Sequence, residues 1–129
     1  MIVVDTSALL AILQNEAEAD AIEIILDAET EILMSASTLA EALIVAGRRG
    51  KDGAMAALIA RLRIEIIPVT APTAERVAAV YSRWGKGVHP ARLNFGDCFA
   101  YELAAARSSR LLYVGIDFSQ TDIASALPA

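Results

Sequence analysis

The sequence is short of the side chains that most often carry acid–base or nucleophilic catalysis. Its 129 residues include one histidine, His89, and one cysteine, Cys98. A lone cysteine cannot form an internal disulfide, and Cys98 lies beside an apolar helical face, so we expect a small buried residue rather than a nucleophile. One histidine in a loop is likewise no indication of acid–base catalysis. Any chemistry must therefore rest mainly on other groups.

Targeting and nucleotide-binding signals are also missing. No apolar run reaches the roughly 20 residues that a membrane-spanning helix needs. The first residues carry neither a basic segment nor a cleavage site, so we do not expect them to be a secretory signal peptide. There is no glycine-rich dinucleotide or phosphate-binding motif. We therefore expect a cytoplasmic protein without a membrane segment or a nucleotide cofactor.

The residues that are present suit one compact α/β domain over residues 1–129. The hydrophobic fraction of 56% is enough for a single buried core. Strand patterns cover residues 1–5, 31–35, 64–69 and 110–114, with a final short edge strand at 123–127, and helical patterns cover 6–13, 15–28, 38–46, 53–62, 72–84 and 97–106. This alternation predicts a mostly parallel central sheet flanked by helices, with the strand ends gathered along one edge.

Acidic residues stand at the carboxyl ends of two predicted strands. Asp5 follows the first strand, and Asp117 follows the strand at 110–114. Thr6 or Ser7 is a suitable N-cap for the helix after Asp5. Ligands of open α/β sheets bind at this edge, which makes both acids candidates for function.

Two further acids interrupt helices that otherwise suit burial. Glu41 lies in an almost wholly apolar run with no basic neighbour before Arg48, so it must be protonated, paired or bound to a cation. Asp97 opens the last helix, where the small residues Ala100 and Ala104 leave space for an ion. The alternative for Asp97 is that it only caps the helix.

Four carboxylates around one cleft predict a metal site. Asp5, Glu41, Asp97 and Asp117 cannot crowd together without a counter-charge. Oxygen ligands of this kind suit Mg²⁺ or Mn²⁺ rather than zinc. One or two such ions can activate water and neutralise charge on a leaving oxygen, which indicates phosphodiester hydrolysis.

Basic residues are confined to the middle of the chain. None precedes Arg48, and the net charge of -5 argues against a protein coated with basic groups for wrapping nucleic acid. The basic residues nearest in sequence to the helical acids are candidates for guiding an RNA backbone: Arg48, Arg49, Lys51, Lys86 and Arg92. His89, between the last two, is a further possible phosphate contact. Taken singly, each cluster also suits a solvated helix end.

Several motifs together resemble the PIN-domain ribonucleases, and more narrowly the VapC toxins of bacterial toxin–antitoxin pairs. They occur in that family's order over nearly the whole chain: Val4-Asp5-Thr6-Ser7-Ala8, Leu39-Ala40-Glu41-Ala42, Gly85-Lys86-Gly87 with His89-Pro90-Ala91, Asn94-Phe95-Gly96-Asp97-Cys98-Phe99-Ala100-Tyr101, and Gly115-Ile116-Asp117-Phe118 with Thr121-Asp122. The resemblance implies that Asp5 and Asp97 are the principal metal ligands, completed by Glu41 and by Asp117 as the fourth acid. It also implies that Ser7 orients Asp5. Ile116 departs from the family, which commonly has an acid or Asn there.

The same resemblance implies an activity and partners. The protein should be a Mg²⁺- or Mn²⁺-dependent endoribonuclease whose cleavage of RNA inhibits translation or growth. It should form a homodimer and bind a small antitoxin that places a basic side chain among the acids. A mean hydropathy of +0.49 agrees with apolar surface that another chain covers.

Two other classes of protein remain open at this point. A non-catalytic signalling module would use the acids to bind one Mg²⁺, as a phosphate-accepting receiver does, but it would need a lysine at the cleft and no predicted strand ends in one. A purely structural or interaction protein would account for Tyr81, Trp84 and the apolar helices. That second alternative leaves Glu41 unexplained.

Overall fold

A four-stranded, all-parallel sheet with strand order β3-β2-β1-β4 forms the centre of the protein. The computed structural model describes residues 1–128. The strands are β1 (Ile2–Val4), β2 (Ile32–Ser35), β3 (Glu65–Ile67) and β4 (Leu111–Leu112), and the helices are α1 (Thr6–Leu13), α2 (Ala19–Ala28), α3 (Ala36–Arg48), α4 (Asp52–Arg61), α5 (Ala71–Trp84) and α6 (Phe95–Ala106). The predicted α/β fold with a parallel sheet is confirmed.

Both faces of the sheet are covered by helices. In β1, Ile2 and Val4 pack with residues of α1 to α4, whereas Val3 packs with residues of α5 and α6. All three side chains are fully buried. Burial on both faces explains why the strand is an unbroken apolar run rather than an alternating one.

The helix predicted over residues 15–28 was too long at its start. The chain leaves α1 at Leu13, Asn15 takes a left-handed conformation with φ of 50°, and α2 begins only at Ala19. Asparagine tolerates this left-handed conformation better than most residues do. A right-handed helix cannot continue through a residue in this conformation. Asn15 therefore separates two helices that share one amphipathic pattern.

The later strands are shorter than predicted, each for a local reason. Pro68 has no N–H to donate, and β3 ends one residue before it. Val114 N–H donates to the hydroxyl of Ser7 rather than to a neighbouring strand, and β4 has only two residues. The expected edge strand at 123–127 is reduced to an isolated bridge between Ser125 and Leu111. Because β4 has only two residues, it offers few backbone groups with which a further strand could pair.

The last helix, α6, is the most buried of the six helices. Ala100 and Ala104 are fully buried and Tyr101 nearly so. The space that these small residues were expected to leave above Asp97 is therefore filled by core packing. The apolar character of the helices serves this core, and within residues 1–128 none of them is long and apolar enough to cross a membrane.

Candidate active site

Asp5 lies at the carboxyl end of β1 and caps α1. The backbone N–H of Ser7 donates to its Oδ2 at 3.1 Å, and the Ser7 hydroxyl donates to the same oxygen at 2.6 Å. Asp5 itself is thus the N-cap, and the expectation that Thr6 or Ser7 fills that position was wrong. The other oxygen, Oδ1, is buried and has no hydrogen-bond partner. A buried carboxylate oxygen without a partner is costly, which marks it as a position where a ligand can bind.

Ser7 connects Asp5 to the neighbouring strand end. Its hydroxyl donates to Asp5 and accepts from Val114 N–H at 3.0 Å. Both bonds use the one hydroxyl group, so its proton is directed to the carboxylate. These contacts fit the orienting role that the sequence resemblance implies for Ser7.

Glu41 comes to the site from α3, where two residues distant in sequence define its position. The Thr6 hydroxyl donates to Glu41 Oε1 at 2.8 Å. On the other side, a Cβ at Gly96 would overlap Oε2 and stand 3.1 Å from Cδ of Glu41. Glycine at 96 therefore lets the Glu41 carboxylate lie against the first turn of α6, next to Asp97.

Asp97 is the third residue of α6 and forms a capping box with Asn94. Asn94 N–H donates to Asp97 Oδ2 at 3.0 Å, and Asp97 N–H donates to Asn94 Oδ1 at 2.8 Å. The capping interpretation of Asp97 is correct, and it does not compete with a site role because the cap fixes the carboxylate in place. The signal for Asn94 was present in the sequence as an N-cap residue three positions before an acid.

Asp117 stands at the far side of the same edge. It is exposed and precedes a short 3₁₀ turn, Phe118–Gln120. With Asp97, Asn94 and the basic residues Lys86 and Arg92 it lines a pocket of about 410 Å³, which we call the inner pocket. The inner pocket brings acidic and basic candidates together.

The electrostatics of the site indicate that the four acids act on one another. Burial raises the pKa of Asp97 to about 7, and the charges of Asp5, Asp117 and Glu41 add to this rise. Burial also raises the pKa of Asp5, with a contribution from Glu41, against the lowering effect of the Ser7 hydrogen bonds. A cation would relieve both the desolvation and the repulsion.

Cys98 does not take part in this chemistry. It is fully buried, and burial, with a contribution from Asp97, raises the pKa of its thiol to about 11. The thiol is therefore protonated at neutral pH, which makes it a poor nucleophile. Its buried position agrees with the sequence expectation.

The donor set fits a hard divalent cation, although the carboxylates are not drawn tightly together. Within residues 1–128, no three histidine, cysteine, aspartate or glutamate side chains are grouped as a ready metal site. The buried, unpartnered Oδ1 of Asp5 and the mutual repulsion of the acids are what a cation would satisfy. Carboxylate oxygens without histidine or thiolate favour Mg²⁺ or Mn²⁺.

The five basic candidates divide into two groups. Lys86 and Arg92 line the inner pocket with Asp97 and Asp117. Arg48 ends α3, seven residues beyond Glu41, which is about 10 Å along the helix axis. Arg49 and Lys51 follow it, are exposed and do not line the inner pocket. Their contact with RNA stays a prediction.

The architecture and the site sequence match known proteins. The family model of the PIN domain matches residues 2–124. Ribonuclease VapC30 of Mycobacterium tuberculosis is 42% identical over 130 residues, covering 98% of this chain and 99% of the relative. Ribonuclease VapC of Mycolicibacterium smegmatis is 37% identical over 126 residues, covering 95% and 98%. This chain is a PIN-domain protein of the VapC ribonuclease family.

Solved structures of bacterial toxins have the same fold. M. tuberculosis VapC20, described as a toxin that cleaves the sarcin–ricin loop, superimposes with a TM-score of 0.80 at 21% identity, covering 99% of this chain and all of that one. A toxin–antitoxin complex from Klebsiella pneumoniae gives a TM-score of 0.72 at 17% identity, covering 95% and 93%. At these identities the likeness establishes the fold of this VapC-family chain and nothing finer.

Proposed function

We propose that this VapC-family protein is a Mg²⁺- or Mn²⁺-dependent endoribonuclease and the toxin of a toxin–antitoxin pair. The observation that carries the proposal is the buried, unpartnered Oδ1 of Asp5 within a set of four mutually repelling carboxylates. A purely structural module gains nothing from such repulsion. A hydrolase that must hold a cation beside a phosphodiester requires it.

Each residue at this edge then has a role. Asp5 and Asp97 would hold the ion, and Glu41 and Asp117 would complete the acidic set. A bound ion would supply an activated water and positive charge beside the scissile phosphate. Ser7 and Thr6 hold their carboxylates by hydrogen bonds, which keeps the site ordered before substrate arrives. The basic side chains of the inner pocket, Lys86 and Arg92, position the RNA backbone.

The function is tested on the purified chain with single-stranded RNA. We expect cleavage with Mg²⁺ or Mn²⁺ and none in excess chelator. Cleavage should also stop when the small protein encoded by the neighbouring upstream reading frame is added. Equal cleavage with and without chelator would contradict the metal role. Metal binding without any cleavage would favour a non-catalytic Mg²⁺-binding module.

Exposed apolar side chains on α2 and α3 support the proposed binding of an antitoxin. Ile24 on α2 is 70% exposed and Ile44 on α3 is 56% exposed. Exposed large apolar residues of this kind suit a partner chain. An antitoxin segment that reaches the acids with a basic side chain would compete with the ion and silence the enzyme. The protein would encounter both RNA and the antitoxin in the cytoplasm.

We also propose a homodimer formed by a groove between α5 and α6. The groove has a volume of about 680 Å³, is lined mainly by apolar residues such as Val77 and Phe99, and includes Phe95 at its border. Phe95 is 70% exposed. A protruding aromatic ring beside an apolar groove is self-complementary, because a two-fold axis places each ring in the groove of the other copy.

A charge at this ring should separate the copies. We expect Phe95→Asp to be monomeric by light scattering where the unmodified chain is dimeric. Ile24→Asp is the matched control, since Ile24 is equally exposed on the opposite helical layer. That control should remain dimeric. A dimer that survives Phe95→Asp would place the interface elsewhere.

A further inference from the structure

The loop between α5 and α6 borders two adjoining pockets. We call residues 85–93 the basic loop. Its Lys86 and Arg92 line the inner pocket with Asp97, and the same two side chains line a second pocket of about 470 Å³. This outer pocket is otherwise formed by the loop itself and includes His89. Two cationic side chains thus stand between the acids and a further cavity.

The basic loop is held in one conformation. Its ends are joined as a β-bridge, in which Lys86 N–H donates to Leu93 O at 2.9 Å and Leu93 N–H donates to Trp84 O at 3.0 Å. The His89 ring packs edge-on against Trp84, with 4.6 Å between ring centroids. The loop is therefore organised before any ligand binds, which lowers the entropic cost of binding.

Arg92 is held in a backbone conformation that disfavours it. Its φ is 54°, in the left-handed region that side chains other than glycine and asparagine seldom adopt. The residues on either side, Ala91 and Leu93, are buried and fix the backbone there. The loop therefore fixes the backbone position from which the Arg92 side chain extends.

The polar groups of the outer pocket are available to an anion. Among the ion pairs of residues 1–128, none involves Lys86 or Arg92. His89 Nδ1 accepts a hydrogen bond from Ala91 N–H at 3.0 Å. In the neutral ring the proton is then on Nε2, which makes that nitrogen a donor. Two cations and this N–H donor together match a phosphate group.

We propose that the outer pocket binds the RNA phosphate next to the one that is cleaved. This inference rests on the proposed ribonuclease function and adds a substrate subsite to it. Lys86 and Arg92 lie between the two phosphates and contact the backbone that joins them. His89 contacts only the outer phosphate, because it lines only the outer pocket. The subsite reads backbone rather than base, so it acts on any sequence.

The test compares two arginines that share one backbone conformation. Arg63, after α4, is also exposed and has a φ of 53°. In excess chelator, where RNA stays intact, we measure binding of short single-stranded RNA of random sequence over a range of salt. Arg92→Gly should weaken binding and flatten the plot of log affinity against log salt by about 0.7. Arg63→Gly should change neither, while both variants melt within a few degrees of the unmodified chain.

His89→Asn separates the two pockets. Asparagine keeps an acceptor for Ala91 N–H and loses the outward donor, and we expect about tenfold weaker binding with an unchanged salt slope. Unchanged affinity in this variant would overturn the outer subsite, as would equal losses in the Arg63 and Arg92 variants. In either case cleavage by the unmodified chain with Mg²⁺ would still stand as evidence for the ribonuclease. Absence of that cleavage would remove the proposed function itself.

Discussion

Replacing Asp97 by asparagine should lower the rate of RNA cleavage by about 10³-fold or more while leaving the fold intact. The amide removes one of the negative charges that hold the cation, and about 4 kcal/mol of lost transition-state stabilisation corresponds to that factor. Asparagine can still accept the N–H of Asn94, so the capping box of α6 survives. This variant is therefore expected to lose activity while it keeps its stability.

The pH dependence of stability gives the same variant a second readout. Burial and the neighbouring acids raise the pKa of Asp97 from 3.8 to about 7. Between these values the folded state binds more protons than the unfolded state, so the contribution of Asp97 to stability is largest below about pH 4 and is lost as pH rises to about 7. In chelator, Asp97→Asn should remove much of this fall. It should also melt higher than the unmodified chain at pH 8.

Asp52→Asn is the matched control. Asp52 is an exposed acid in the first turn of α4, which is the corresponding part of another helix. Its replacement should leave the cleavage rate and the pH dependence of stability unchanged. If Asp97→Asn instead unfolds the chain at all pH values, then Asp97 serves the cap alone and the metal proposal loses its second principal ligand.

The order of strands and helices followed from the sequence because buried parallel strands and amphipathic helices have distinct periods. The predicted element boundaries were wrong where apolar periodicity carries no information about backbone conformation. Asn15, in a left-handed conformation, interrupts one predicted helix. The N–H of Val114 donates to the Ser7 hydroxyl instead of to a neighbouring strand. Both depend on a single backbone conformation or contact, which apolar periodicity does not encode.

The candidate site divides in the same way. Residue spacing predicts the position of some acids, whereas the residues that hold them are identified only by contacts in the folded protein. Asp5 and Asp117 could be placed because strand ends share one edge of a parallel sheet. The residues that hold Glu41 could not be placed, because Thr6 and Gly96 lie far from it in sequence and meet it only through packing. Gly96 in particular gives no chemical signal, since its contribution is the absence of a side chain.

That absence leads to the second large effect: Gly96→Ala should lower cleavage by about 10²-fold without destabilising the protein. The new methyl group would overlap Oε2 of Glu41, and the flexible carboxylate is the part that moves. Moving it sacrifices the Thr6 hydrogen bond, worth about 1 kcal/mol, while alanine favours the helix by up to about 1 kcal/mol. The two terms nearly cancel in stability, whereas a shift of about 1 Å in a site can cost this much in rate.

Gly53→Ala isolates the helical term. Gly53 is the second residue of α4 as Gly96 is the second residue of α6, and a Cβ there meets no atom within 4 Å. We expect Gly53→Ala to melt slightly higher with full activity, and Gly96→Ala to melt near the unmodified chain with little activity. Full activity in Gly96→Ala would mean that Glu41 can leave its position without cost, and Glu41 would then have no place among the residues that hold the ion.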